Sequence, residues 1–219
     1  MNQQQIKVNK TAFVSIDGNT KNPNCIWLIL HGYGQLASYF IKKFNSLNKD
    51  RNLIIVPEAL SKYYISGNNG RVGATWMTKH EREVDIQDNH NYLDTIYNQF
   101  IPKNYTGKLV LLGFSQGAAT AARWLATTNH NFHHLVLWAS VFPPDLKIDE
   151  FKQKKVKTTL VFGDKDEYLS KNDIEIHYKW AQNNLFDVDL LTFEGNHNIF
   201  PEALKSLELK LSVDTIHSI

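Results

Sequence analysis

One serine of the chain stands in a setting that suits nucleophilic catalysis. Ser115 is at the centre of the motif Gly113-Phe114-Ser115-Gln116-Gly117, which follows the apolar run 109–112 and precedes an alanine-rich segment. This order predicts a strand, a sharp turn with the serine at its apex, and a helix. Such a turn lifts the hydroxyl clear of a sheet, and the start of the helix presents unpaired N–H groups to a developing oxyanion. We therefore interpret Ser115 as a nucleophile rather than as a helix-capping serine.

A serine hydroxyl needs a base that takes its proton. Where a serine occupies such a turn, the histidine follows both the serine and an acid along the chain. His197 satisfies this order, because it lies in a short loop directly after the apolar run 188–193. Three other histidines, His130, His133 and His134, fall at the wrong end of the next predicted strand. We interpret them as part of a polar loop rather than as a metal site.

The acid that orients the histidine is expected after the apolar run 159–162. The segment Gly163-Asp164-Lys165-Asp166-Glu167 offers three carboxylates at this point. An acid in this role accepts the N–H of the histidine and stabilises the imidazolium. The spacing leaves Asp164 and Asp166 both as candidates, and the other one is expected to cap the loop by accepting backbone N–H groups.

A second oxyanion donor is expected from the loop after the first central strand. The segment Leu30-His31-Gly32-Tyr33-Gly34-Gln35 fits, because its glycines free the backbone to turn an N–H toward the serine. We predict that the N–H groups of Tyr33 and Gln116 bind the oxyanion. His31 precedes the serine and is interpreted as a structural hydrogen-bonding residue. This chemistry requires no metal and no organic cofactor.

Residues 61–78 are predicted to be neither strand nor helix, because the segment is rich in glycine and asparagine. Long loops in compact domains usually have a function. Trp76, together with Tyr63 and Tyr64, is predicted either to form a wall for the acyl group or to pack the loop. Arg71 is a candidate for holding a substrate carboxylate or phosphate, with a solvated arginine as the alternative.

The elements that position these residues are visible as apolar runs. Alternation in 5–9 predicts a first strand with one wet face, and 11–16 reads as a second strand. The later runs are short and unbroken, which is typical of parallel strands buried on both faces; they are 26–30, 53–56, 109–112, 135–138, 159–162 and 188–193.

Helices are predicted between these strands. One covers 38–47, and the pattern Thr78-x-x-Glu81 has the form of a capping box that opens a long helix ending before Pro102. Ser170-x-x-Asp173 precedes another helix, and Pro201 begins the last one. The alternation predicts an α/β fold with a mostly parallel, doubly wound sheet and helices on both faces. The segment between 138 and 159 is too short for a cap domain.

Composition limits the class of protein. The 219 residues, 42% of them hydrophobic, suit a single domain over residues 1–219. A net charge of +2 with scattered basic residues gives no support for a nucleic-acid partner. No apolar run approaches the roughly 20 residues that span a bilayer, and the polar N-terminus lacks the features of a secretory signal. The lone Cys25 is expected to be a buried small side chain, and a cytoplasmic location is expected. The oligomeric state is left open, a homodimer included.

With these motifs assembled, the chain resembles the phospholipase/carboxylesterase family of α/β-hydrolases, which includes acyl-protein thioesterases and small bacterial esterases. The resemblance is carried by Leu30-His31-Gly32-Tyr33-Gly34, Gly113-Phe114-Ser115-Gln116-Gly117, Gly163-Asp164-Lys165-Asp166 and Gly195-Asn196-His197. In that family the second aspartate of Gly-Asp-x-Asp is the triad acid, so the resemblance favours Asp166. The chain departs from the family at Glu167, where proline is common, and at Asn196, where glycine is common. The segment 73–77 does not match thioesterase loops, which leaves the substrate open.

The sequence thus predicts a serine hydrolase of the α/β-hydrolase fold, of the carboxylesterase or thioesterase type. Ser115, His197 and Asp166 would form the triad, and the substrate would be a small or medium acyl ester or thioester. Two alternatives remain: a non-catalytic binding protein on the same fold, and a small peptidase or amidase.

Overall fold

A central β-sheet organises the molecule. The computed structural model describes residues 2–213, so His217 and the other last residues of the predicted domain lie outside the described part. Nine strands occur in it: β1 (Val14–Gly18), β2 (Cys25–Leu30), β3 (Asn52–Pro57), β4 (Ser61–Tyr64), β5 (Val72–Thr75), β6 (Lys108–Phe114), β7 (His134–Trp138), β8 (Lys157–Gly163) and β9 (Val188–Phe193). Seven of them form one sheet in the order β1-β3-β2-β6-β7-β8-β9, and β4 and β5 form a separate hairpin.

The sheet is mostly parallel, as the unbroken apolar runs predicted. Every neighbouring pair is parallel except β1 with β3. All residues of β3 and β7 are buried. Strands that are covered on both faces bury every side chain, and this is why their sequences lack a polar alternation.

Helices cover both faces of this sheet. They are α1 (Ala37–Phe40), α2 (Arg82–Phe100), α3 (Gln116–Thr127), α4 (Ile148–Gln153), α5 (Lys171–Asn184) and α6 (Pro201–Val213). Leu93 of α2, Trp124 of α3 and Ile174 of α5 belong to the core on one face. Phe40 of α1 and Leu207 of α6 belong to the core on the other. The doubly wound α/β architecture is therefore confirmed, and no helix within residues 2–213 is long and apolar enough to cross a membrane.

The strand register brings four loops to one edge of the sheet. Leu30 at the end of β2 is paired with Gly113 of β6, and Phe114 at the end of β6 is paired with Trp138 of β7. Farther along the sheet, Gly163 at the end of β8 is paired with Phe193 at the end of β9. The loops that follow β2, β6, β8 and β9 thus leave the sheet on the same side, where open α/β sheets bind their ligands.

The connection from β7 to β8 contains the short helix α4 and no further helix or strand. Within the described residues, therefore, no cap domain is inserted at this point, as the spacing predicted. Two predicted helix starts are also confirmed. Ser170 and Asp173 form a reciprocal capping box at the start of α5, and α6 begins at Pro201.

The predicted first strand at 5–9 is wrong. Residues 2–13 contain no strand, and the first strand begins at Val14. Ile6 and Val8 are 83% and 76% exposed. Alternation specifies a strand only where one face can be buried and a neighbouring strand can pair, and the edge strand β1 provides neither for this segment.

Three other local predictions need correction. The segment 61–78, predicted to be irregular, contains the antiparallel hairpin β4–β5. The predicted helix at 38–47 is α1 followed by a 3₁₀ turn at Ile41–Phe44. The predicted capping box at Thr78 does not form: Glu81 is the N-cap in a left-handed conformation, and the Thr78 N–H donates to the Asp85 carboxylate instead.

Candidate active site

Ser115 occupies the turn between β6 and α3 in a strained backbone conformation. Its φ of 53° and ψ of −118° lie in a region that side-chain-bearing residues rarely adopt. The N–H of Ser115 donates to the carbonyl of Trp138 at 2.9 Å. The neighbouring strand β7 therefore helps to hold the turn of Ser115 in its strained conformation.

The two glycines of the motif are required by close packing around this turn. A Cβ at Gly113 would lie 2.5 Å from the amide nitrogen of Ala118, and one at Gly117 would lie 2.5 Å from the carbonyl oxygen of His31. Real Cβ atoms do not approach backbone atoms so closely. The motif thus carries glycine where α3 folds back against β6 and where it meets the end of β2.

His197 and Asp166 are joined by a hydrogen bond. The distance from His197 Nδ1 to Asp166 Oδ2 is 2.8 Å. The carboxylate accepts from Nδ1–H, which leaves Nε2 unprotonated in the neutral ring. Asp164 instead accepts the N–H of Gly195 at 3.0 Å. Of the two candidates that the spacing left open, Asp166 contacts the histidine and Asp164 caps the loop.

The loop that carries His197 is held at several backbone positions. Glu167, which stands where the family often has proline, accepts the N–H of His197 at 3.1 Å. The carbonyl of Asn198 accepts the indole N–H of Trp138 at 2.9 Å, and its side-chain oxygen accepts from Lys43 Nζ at 2.6 Å. The position of His197 is thus fixed by the hydrogen bond of its ring to Asp166 and by hydrogen bonds to the backbone of its loop.

Aromatic side chains flank the imidazole of His197. The ring of Phe114, the residue before Ser115, lies 5.1 Å from it between centroids. Tyr168 meets it edge to face at 4.7 Å and is 74% exposed. The Tyr168 N–H donates to Asp166, so one short segment supplies both the carboxylate and an aromatic rim beside the imidazole.

The loop after β2 is organised by His31. Its Nε2 accepts the N–H of Ala59 at 3.0 Å, and its Nδ1 donates to the carbonyl of Gly32 at 2.8 Å. Burial lowers the pKa of His31 below its ordinary value. A neutral ring is needed for this pattern, because a protonated Nε2 cannot accept. The structure thus agrees with the structural role expected for His31.

The hairpin β4–β5 is the support that the sequence did not reveal. The Gly34 N–H donates to Ala74 O at 2.9 Å, and the Ala74 N–H donates back to Gln35 O at 3.2 Å. A Cβ at Gly73 would lie 2.6 Å from Gly34 O. The hairpin and the loop after β2 are therefore packed backbone to backbone.

The same hairpin also holds the side chain of Gln116 at the start of α3. Gln116 Oε1 accepts from the Thr75 hydroxyl and from the Trp76 N–H, both at 3.1 Å, and Gln116 Nε2 donates to Met77 O at 2.9 Å. Within residues 2–213, no acceptor is hydrogen-bonded to the N–H of Tyr33 or of Gln116. The hairpin and the residues that follow it thus hold two segments that each carry a backbone N–H without a hydrogen-bond acceptor among the described residues.

The two candidate substrate residues lie apart from the open surface of the site. Trp76 is 2% exposed, and its indole N–H donates to His31 O at 2.8 Å. Its ring lies 5.2 Å from that of His31. Arg71 lies exposed at the turn of the hairpin, where its carbonyl accepts the Ile65 N–H. Trp76 therefore supports the loop after β2, and neither side chain lines the cavity beside the site.

A cavity of about 830 Å³ opens beside Tyr33 and Gln116. We call it the basic cavity; its lining consists of Tyr33, Met77, Thr78, Lys79, Arg82, Gln116, Arg123, Pro144 and Asp145. The sequence did not predict this cavity, because its charged residues come from three separate places: the segment around the start of α2, the helix α3 and the loop after β7.

Cys25 and His130 lie outside the site and are packed against other residues in the part of the chain that the structure describes. Burial raises the pKa of the Cys25 thiol to about 12, and Cys25 lies at the opposite end of β2 from the site. Within residues 2–213, no group of three histidine, cysteine or acidic residues is arranged to hold a metal ion. His130 instead stacks on Tyr97 with centroids 3.8 Å apart.

Comparison with known proteins assigns the chain to a family. A profile of the phospholipase/carboxylesterase family matches residues 10–214. The chain belongs to this family. Membership of the phospholipase/carboxylesterase family indicates a hydrolase of the esterase type. The resemblance that the motifs suggested is thereby confirmed.

Solved structures share the α/β-hydrolase fold of this family member. Acyl-protein thioesterase 2 of Zea mays superposes with a TM-score of 0.71 at 16% identity, covering 93% of this chain and 99% of that one. The carboxylesterase of Bacillus cereus gives 0.65 at 16% identity, covering 92% and 94%. SOBER1 of Arabidopsis thaliana gives 0.65 at 18%, covering 84% and 96%. Proteins with curated functions gave no significant match. At these identities the likeness concerns the fold.

Proposed function

We propose that the chain hydrolyses carboxylic esters or thioesters through an acyl-enzyme on Ser115. The observation that carries the proposal is the 2.8 Å hydrogen bond between His197 and Asp166 in the loops next to the strained turn of Ser115. A histidine whose Nδ1–H is held by a carboxylate keeps Nε2 free to act as a base.

In the acylation step, His197 Nε2 removes the proton of the Ser115 hydroxyl as Oγ attacks the ester carbonyl. The carbonyl oxygen becomes an oxyanion that accepts the N–H groups of Tyr33 and Gln116, and Asp166 stabilises the imidazolium. The intermediate collapses when the bond to the leaving group breaks, and His197 returns the proton to the departing oxygen or sulfur. Each donor of this kind contributes about 2.7–4 kcal/mol to the stability of such a transition state.

In the deacylation step, His197 removes a proton from water, which attacks the acyl carbonyl. A second oxyanion forms at the same two N–H groups. The bond to Ser115 then breaks, the serine regains its proton from His197, and the carboxylic acid leaves. This cycle uses the chain's own residues for every proton transfer.

Labelling with a fluorophosphonate probe, followed by mass spectrometry of the labelled peptide, tests the proposal. We expect the label on Ser115 in the wild type and none in Ser115→Ala, with p-nitrophenyl ester turnover lost in parallel. The corresponding loss in a well-studied protease is about 10⁶-fold. A non-catalytic binding protein would leave Ser115 unlabelled, and retained turnover in Ser115→Ala would refute the nucleophile.

A panel of acyl p-nitrophenyl esters of increasing chain length, with matched thioesters and anilides, separates the remaining classes. Esterase or thioesterase activity predicts rapid release from esters or thioesters and slow release from anilides. Preferential cleavage of the anilides would instead indicate an amidase or peptidase.

A further inference from the structure

The basic cavity carries an excess of positive charge next to the proposed oxyanion donors. Its lining contains three cationic side chains, Lys79, Arg82 and Arg123, and one carboxylate, Asp145. Tyr33 and Gln116, the two residues proposed to supply the oxyanion donors, also line the cavity. A substrate whose ester is bound at Ser115 therefore extends past these charges if it occupies the cavity.

The single carboxylate is already engaged by two guanidinium groups. Arg123 donates to Asp145 through Nε at 3.0 Å and through a terminal nitrogen at 2.8 Å, and Arg82 also contacts this carboxylate. The hydrogen bonds from Arg123 lower the pKa of Asp145 to about 2. Asp145 therefore stays ionised and holds both arginines in place, since a shared carboxylate orients two planar groups.

Lys79 has no such counter-charge. It is exposed, and no described residue forms an ion pair with it. Arg82 makes a second ion pair with Glu83 at 2.6 Å, but the Glu83 side chain is 79% exposed and does not line the cavity. The lining thus contains one lysine without an ion pair among the described residues and two guanidinium groups that are held by carboxylates.

We propose that the basic cavity binds an anionic group of the substrate, a carboxylate or a phosphate, and so makes anionic esters better substrates than neutral esters of the same shape. The inference rests on the proposed function and names its substrate class. Lys79 provides the unpaired charge, and Asp145 holds the guanidinium groups of Arg82 and Arg123 in the lining. Tyr33, Met77 and Pro144 provide apolar surface for the chain that links the ester to the anionic group.

Two pairs of chromogenic substrates test the inference and locate the anionic group. In the first pair the charge is on the acyl side: mono(4-nitrophenyl) glutarate is compared with its methyl ester. In the second pair the charge is on the leaving group: 4-(butyryloxy)benzoate is compared with its methyl ester. We expect kcat/KM to be about fivefold or more higher for the anionic member of at least one pair, the effect of one charge pair at contact distance in water. This preference should shrink as salt shortens the screening length.

Variants of Lys79 identify the cavity as the source of the preference. Lys79→Gln should bring the anionic-to-neutral ratio of kcat/KM toward one, and Lys79→Glu should invert it. Lys103→Gln is the matched control, because this exposed lysine lies before β6, at the opposite edge of the sheet. Its ratio should equal that of the wild type.

The outcomes distinguish a failure of the inference from a failure of the proposed function. If both members of each pair are hydrolysed by Ser115 at equal rates, or if Lys79→Glu leaves the ratio unchanged, the inference is wrong and the proposed function stands. If no ester is hydrolysed and Ser115 resists the fluorophosphonate probe, both are wrong.

Discussion

At the residue scale, two aspartates two positions apart have different partners. Asp166 accepts from the imidazole of His197, whereas Asp164 accepts from the backbone N–H of Gly195. The spacing of the sequence could not separate them, because both follow the same strand and both are acceptors suited to a loop. The geometry of the loop after β9 decides which one reaches the ring.

Comparison of Asp166→Asn with Asp164→Asn tests this division. Asp166→Asn should lower kcat by about 10⁴-fold, the size seen when the equivalent acid of a serine protease loses its charge and the histidine takes the wrong tautomer. Asp164→Asn should lower kcat by no more than about tenfold, since Asn keeps an oxygen that accepts the Gly195 N–H. Steady-state kinetics on one p-nitrophenyl ester decides between them. A larger loss in Asp164→Asn would reverse the assignment.

The strain at Ser115 predicts a difference in stability between two inactive variants. Ser115→Ala keeps a Cβ in a conformation with φ of 53°, whereas Ser115→Gly removes it. Strain of this kind costs about 1–3 kcal/mol, and glycine's greater freedom in the unfolded chain offsets part of the relief. We expect Ser115→Gly to have a free energy of unfolding about 1 kcal/mol higher than that of Ser115→Ala, measured by urea unfolding. Equal or reversed stabilities would show that the turn stores no strain.

At the element scale, the hairpin β4–β5 positions both proposed oxyanion donors. It pairs with the loop after β2 through Ala74 and holds the side chain of Gln116 through Thr75 and Trp76. Because the two donors depend on one element, a small displacement of the hairpin should act on transition-state stabilisation rather than on substrate binding.

Gly73→Ala tests this dependence. The added methyl group would overlap the backbone of Gly34, so the loop after β2 would have to shift. We expect kcat to fall by about 10²-fold or more, the range for loss of one oxyanion donor, with KM little changed. Gly67→Ala at the tip of the hairpin is the control: its methyl group meets no atom within 4 Å, so the strain of alanine at a φ of 62° arises at the exposed tip and not at the loop after β2. A kcat loss of similar size in the control would argue against a specific role for Gly73.

Strands could be predicted from the sequence where the burial of a segment is reflected in an unbroken run of apolar side chains. The parallel strands were found because side chains on both faces of the sheet are buried, such as Leu111 on one face and Val136 on the other, and leave no polar gap. The hairpin was missed because nine of the 15 residues 61–75 are exposed and its tip is rich in glycine, so the pattern resembles a loop. The strand at 5–9 was predicted wrongly, because alternation does not reveal whether a pairing partner exists.

At the scale of the whole molecule, the site is assembled from segments far apart in the chain. Asp166, Glu167 and Asn198 determine where His197 lies, and Trp138 reaches both the serine turn and the histidine loop. The order of motifs along the chain predicted that an aspartate of the loop after β8 meets His197, and the resemblance to the family favoured Asp166. The basic cavity could not be predicted in this way, since Asp145, Arg82 and Arg123 carry no sequence motif and become neighbours through packing alone.

Histidines that are wholly or partly buried in the folded chain predict that its free energy of unfolding falls in mild acid. Burial lowers the pKa of His31, His90 and His130 below the ordinary 6.5. The unfolded chain therefore binds more protons than the folded chain once the pH falls below about 6.5. The stability that these groups contribute is complete above that pH and is lost progressively below it, at up to about 1.4 kcal/mol per pH unit for a fully buried group such as His31.

Urea unfolding between pH 8 and pH 5 measures this effect. The free energy of unfolding should be flat above about pH 7 and should decline below 6.5. His31→Gln should be less stable at pH 8 and show a shallower decline. His80→Gln is the control, because the His80 side chain is 87% exposed, and it should follow the wild-type curve. A wild-type curve that is flat down to pH 5 would contradict the prediction.

The hairpin β4–β5 divides into a base and a tip with opposite tolerance for change. Residues 73–76 are buried against the loop after β2, whereas residues 66–71 are exposed and open to solvent. Insertions are accepted where exposed backbone makes few contacts. We therefore expect that a peptide tag or a small guest domain inserted at the tip would leave the buried base of the hairpin, and with it the proposed site, undisturbed.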